Sequence, residues 1–111
     1  MRIFKLSQLD NLVGIDTLLE ISVENVNGHE LKEYNLSNIA KCFKNLQKCD
    51  IDVDGYDDDL IQPEQYTQIV QDVFQNSATR VEICFKKMSS SRTYLTKEPF
   101  QRSVTLLSSF C

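Results

Sequence analysis

The chain has 111 residues, with 16 acidic and 12 basic side chains and a formal charge of −4, which is room for one hydrophobic core and not for two. Hydrophobic residues at 41% and charged residues at 25% are values of a globular domain and exclude a disordered chain. The mild acidity disfavours direct binding to nucleic acid or anionic membrane and favours a basic partner, and no apolar run reaches the ~20 residues that cross a bilayer.

Met1 to Leu6 goes straight into alternation, with no long apolar stretch or small-residue cleavage site, so the expectation is mature sequence of a cytoplasmic protein. Residues 2–6 read as a short strand. Ser7 to Asp10 resembles a helix start with Ser7 as N-cap, and Leu9, Leu12 and Val13 give one helical turn that Gly14 ends. Residues 17–25 alternate, with Leu19, Ile21 and Val23 facing inward and Glu20, Ser22 and Glu24 outward, the pattern of a half-buried strand. Asn27-Gly28 then predicts a hairpin turn, with residues 29–34 returning as its second arm and Leu31 or Tyr34 inward. His29, beside that turn, reads as an exposed hydrogen-bonding residue rather than a catalytic one.

Over residues 36–48 the period changes: Leu36, Ile39, Ala40, Phe43 and Leu46 make one helical stripe. Asn35 or Ser37 can cap it. Lys41, Lys44 and Lys48 form a solvated face, and the last two suit the C-terminal end of the helix dipole. A second helix is predicted over 63–75, started by Pro63 and Glu64 and carrying Tyr66, Ile69, Val70, Val73 and Phe74 on one side. Period two returns over 80–87, where Val81, Ile83 and Phe85 alternate with Glu82, Cys84 and Lys86. Ser89-Ser90-Ser91 is a turn, Arg92 to Lys97 a second arm broken by Glu98-Pro99, and 103–110 a final strand.

These elements predict one α+β domain over residues 1–111: an antiparallel sheet of about five to six strands with a helix–loop–helix pair packed on one face. The predicted core is Leu19, Ile21, Val23, Ile39, Phe43, Leu46, Ile69, Val73, Phe74, Val81, Ile83, Phe85, Val104 and Leu106. No internal repeat is visible. The four cysteines (42, 49, 84 and 111) contain no C-x-x-C pair, and Cys42 and Cys49 on one helix would stand about 10 Å apart, beyond disulfide reach. With a single histidine there is no zinc set, and reduced, partly buried thiols are expected.

Between the two predicted helices lies the stretch of most chemical interest, Asp50-Ile51-Asp52-Val53-Asp54-Gly55-Tyr56-Asp57-Asp58-Asp59. So many neighbouring carboxylates repel one another, and a loop that carries them is solvated, paired with a partner's cations or holding a metal. Its first half, D-x-D-x-D-G, and its setting resemble an EF-hand over residues 36–75. That resemblance implies calcium ligation by Asp50, Asp52, Asp54 and Asp58, with Gly55 at the sharp turn and the Tyr56 carbonyl as a further oxygen. The pattern departs from the family at Asp57, where an aliphatic residue belongs, and at Ile61, where the bidentate glutamate belongs. Glu64 in the next turn is the substitute at hand, so the expected calcium affinity is weak.

Enzyme motifs are missing: there is no G-x-S-x-G, P-loop or H-E-x-x-H, and paired carboxylates in a wet loop cannot separate their pKa values by burial. The expectation is a protein without catalysis or cofactor whose acidic loop meets a basic partner. In size, acidity, lack of catalytic motifs and α+β pattern the chain resembles bacterial immunity proteins that neutralise toxin nucleases, such as those of contact-dependent inhibition systems. The resemblance is one of kind and carries over no residue. It implies inhibition by occlusion, in which Asp52, Asp54, Asp57, Asp58 and Asp59 pair with the toxin's cationic site around Tyr56 as aromatic anchor. Two alternatives use the same acids: a cation-responsive helix–loop–helix module, and a phage-encoded inhibitor of a nucleic-acid-binding host complex.

Overall fold

A computed structural model of the chain describes residues 2–9, 18–43, 45–56, 61–75, 77–89 and 91–110. It shows a mixed α+β fold built on one six-stranded sheet, in which the strands lie side by side in the order of the chain. β1 (Arg2–Phe4), β2 (Glu20–Val26), β3 (Lys48–Tyr56) and β4 (Arg80–Lys87) run parallel, and β5 (Ser91–Lys97) and β6 (Thr105–Phe110) continue antiparallel.

Parallel neighbours need a crossover, and helices supply it. α1 (Leu6–Leu9) lies between β1 and β2, α2 (Gly28–Glu33) and α3 (Ser37–Cys42) between β2 and β3, and α4 (Glu64–Phe74) between β3 and β4. The expected antiparallel sheet is therefore corrected to a mixed one. The alternation that suggested it is real but has another cause. A parallel sheet covered on both faces reads as continuous apolar runs, whereas here only alternate residues are apolar because the described helices pack on one face.

One hydrophobic cluster holds the described chain together. Ile21, Val23, Cys49, Ile51, Val53, Val81, Ile83, Phe85 and Leu95 supply it from the strands, and Leu6, Leu9, Leu31, Leu36, Ile39, Phe43, Leu46, Tyr66, Val70 and Phe74 from the helices and their ends. α3 touches α4, and α4 lies along β5 and β6, where Val104 and Leu106 pack partly against the cluster. The Tyr66 and Phe85 rings meet at 5.7 Å and tie α4 to β4.

Three local expectations change. The helix–loop–helix pair is corrected, because the segment between α3 and α4 includes β3, nine residues long and hydrogen-bonded on both sides. α3 ends at Cys42, and Leu46 reaches the cluster from the turn before β3. The predicted hairpin at Asn27-Gly28 is instead a helix start. Asn27 is the N-cap of α2, its Oδ1 accepting from the Glu30 amide at 2.8 Å while Glu30 Oε1 accepts from its Nδ2 at 2.7 Å. In the core list, Leu19 at 45% and Ile69 at 42% exposure belong to the surface, and Leu18 and Val70 hold the buried places beside them. Leu12, Val13 and Gly14 lie outside the described residues.

Candidate functional site

The strands that bury odd-numbered residues of β3, β4 and β5 turn their even-numbered residues to the opposite face. Register fixes what stands beside what. Glu20, Lys48 and Arg80 form one row; Ser22, Asp50, Glu82 and Thr96 the next; and Asp52, Cys84, Tyr94 and Leu107 a third. Ser22, Asp50, Asp52, Glu82, Cys84, Lys86, Arg92 and Tyr94 line a depression of about 290 Å³ on this face. None of the described helices contributes a residue to it.

Charge on the face is divided by strand. β2 and β3 carry Glu20, Asp50, Asp52 and Asp54 against Lys48, whereas β4 and β5 carry Arg80, Lys86 and Arg92 against Glu82. Several of these charges are paired: Lys48 with Asp50 at 3.6 Å, Arg80 with Glu82 at 3.0 Å and with Glu98 at 3.3 Å, and Lys86 with Asp54 at 3.6 Å. Partly exposed pairs of this kind add little to stability. Their effect is to leave the middle unmatched. Asp52, which lines the depression, makes no ion pair or hydrogen bond among the described residues, and Asp50 Oδ1 is buried without a hydrogen-bond partner among them. Loss of water holds the Asp50 carboxyl above its ordinary value of 3.8; Lys48 opposes that rise and Glu82, opposite on β4, adds to it.

Burial holds the thiols of Cys49 and Cys84 in the protonated form. Cys49 lies on the packed face, where burial pushes it up to about 12, with Asp50 adding to the rise. Cys84 lies on the polar face and is also raised, first by burial and then by Asp52, against opposing effects of Lys86, Arg92 and a hydrogen bond with Tyr94. The two face opposite sides of the sheet.

Asp50, Asp52 and Asp54, expected in a loop, thus stand on a central strand. Asp50 and Asp52 share the depression, and Asp54 pairs with Lys86. Tyr56 ends β3 opposite Lys87, and Asp57, Asp58 and Asp59 lie outside the described residues. The EF-hand placing is corrected. Residues two apart on an extended strand are spaced by roughly 6.6 Å along the backbone, so β3 is not the tightly turned twelve-residue loop in which an EF-hand arranges its ligands. Among the described residues no group of three or more His, Cys, Asp and Glu side chains is placed to hold a metal. Gly55, expected at the calcium-loop turn, has φ +63 where the β3–β4 register shifts, so it serves a strand irregularity. His29 is exposed on α2, and Glu64 opens α4.

The residues that sequence reasoning left out of the site are Ser22, Glu82, Cys84, Lys86, Arg92 and Tyr94. Each is the outward member of an alternating strand, and only the strand order brings them beside β3. Neither a protein-family model, nor a curated protein, nor a solved structure matches this chain. No described helix is long and apolar enough to cross a membrane.

Proposed function

We propose that the chain is a noncatalytic binding protein whose polar sheet face engages a basic protein partner. The observation that carries this reading is the unmatched acid on the face: Asp52 without an ion pair or hydrogen bond among the described residues, beside Asp50 with a buried oxygen that lacks a donor among them. A carboxylate oxygen out of water with no donor weighs against folding, and an arginine or lysine side chain from a partner supplies the donor. The division of charge adds orientation, since a partner that sets its bases over β3 can set acids over Arg80, Lys86 and Arg92. Strand-borne carboxylates are also held in place before binding, so little ordering opposes the contact.

A nuclease's phosphate-binding cleft is one cationic surface of this kind, and inhibition of a toxin nuclease by occlusion is the form we put first. A phage-encoded inhibitor of a host nucleic-acid-binding complex would use the same face. The free, protonated thiols of Cys49 and Cys84 fit a reducing compartment, and we place the protein in the cytoplasm.

The test is capture of a partner by a tagged copy from the native host, followed by binding kinetics with the purified partner. Asp52→Asn combined with Asp54→Asn should slow association about tenfold or more and flatten its dependence on salt, with the fold unchanged. Binding that is indifferent to both substitutions and to salt would remove the acidic face from the interface.

A further inference from the structure

The two edges of the sheet are finished differently. β1 is three residues long, and its sequence includes a charged residue, Arg2. β6, Thr105–Phe110, is six residues long and contains no charge and no proline. Its inner side pairs with β5 from Phe110 to Thr105, and the strand order ends with it, so its outer backbone groups face away from the sheet. Shortness, charge and proline are the usual means of keeping an edge strand from pairing, and β6 has none of them.

Cover is also incomplete on both of its sides. Leu107, on the polar face beside Tyr94, is 66% exposed, and Leu106 on the other face is only partly buried against the cluster. A neighbouring strand would cover both at once.

We propose that β6 is a self-association edge that pairs antiparallel with β6 of a second copy of the same chain. The lack of charge selects this occupant: an acidic or basic peptide finds no counter-charge along the strand, whereas two copies meet there without repulsion. Antiparallel pairing is the geometry β6 already uses with β5. A two-fold axis normal to the sheet and passing beside Leu107 sets that leucine against its own counterpart and Leu106 against Ser108. It keeps both polar faces on one side, making a continuous sheet across the pair.

Sedimentation equilibrium over roughly 10 μM to 1 mM, the range in which modest interfaces form, tests the proposal. The expected result is a monomer–dimer equilibrium whose dissociation constant rises at least tenfold in Leu107→Lys and is unchanged in Asp52→Asn. Ser109→Lys, also at an exposed position of β6, gives the same result if Leu107→Lys does not fold. Circular dichroism and urea midpoints like those of the unaltered chain show that the lysine acts on association alone. A monomer throughout the range, a dimer indifferent to both lysines, or assembly that grows past the dimer overturns the two-fold edge pairing.

Discussion

Asp50 and Asp52 stand two residues apart on the same side of β3, yet their surroundings differ. Asp50 has Lys48 at 3.6 Å and one buried oxygen without a donor among the described residues, while Asp52 has neither ion pair nor hydrogen bond among them. Because the folded pKa of Asp50 is raised, its protonated form favours the fold at low pH, and that benefit is lost as pH rises through the raised value. At pH 7 the ionised carboxylate therefore weighs against folding. Asp50→Asn should raise the urea-unfolding free energy at pH 7 by up to about 1 kcal/mol. The gain should fade as pH falls toward 3.8 and below, where both side chains are neutral. A stability gain that stays constant down to pH 3 would mean that ionisation of Asp50 is not its source. If the partner contacts this carboxylate, the same variant binds more weakly while folding better.

β3 is the element that the sequence disguised. Cys49-Asp50-Ile51-Asp52-Val53-Asp54 alternates as cleanly as any strand in the chain, but D-x-D-x-D-G at the end of a helical stripe invites a metal-loop reading of the same letters. Ile51 is buried in the centre of the sheet and Ile69 stands 42% exposed on α4, although helical periodicity ranks Ile69 with the core. Ile51→Ala should cost about 2–5 kcal/mol and Ile69→Ala less than about 1 kcal/mol in chemical denaturation; equal costs would place β3 outside the core. β4 was legible because Val81, Ile83 and Phe85 alternate without a competing motif, and the element spans 80–87 as read. α4 was legible from Pro63, Glu64 and the Tyr66–Val70–Phe74 stripe. Asn27 was ambiguous: beside Gly28 it signals a hairpin, and with Glu30 three residues on it signals a helix cap. The cap prevails, closed by the two hydrogen bonds between Asn27 and Glu30. Lys97 shows the limit of reading charge as exposure, since it is fully covered, with its ammonium donating to the Glu98 carbonyl at 3.2 Å.

At the scale of the molecule, strand order could not be read from the chain, because alternation says which residues share a face and not which strands are neighbours. Consecutive parallel strands, joined by helices whose apolar residues enter one cluster, leave the other face free to collect side chains from β2 to β6. The same order ranks the elements by support, with β2 to β5 flanked on both sides, β3 and β4 at the centre, and β1 and β6 flanked on one. Hydrogen exchange at low micromolar concentration should find the slowest amides in β3 and β4 and the fastest strand amides in β1 and β6. Slow exchange confined to α4 would show that the helix layer, not the sheet, is the last part to open.

The alternation along β3 also bears on how such a protein diverges. Cys49, Ile51 and Val53 serve the interior while Asp50 and Asp52 serve the exterior, residue by residue along one strand. Substitutions at the even positions change the charge and shape of the face without repacking anything beneath it. A sequence on this scaffold can therefore vary in the exposed half of each strand while the buried half, and with it the packing of the sheet, stays the same.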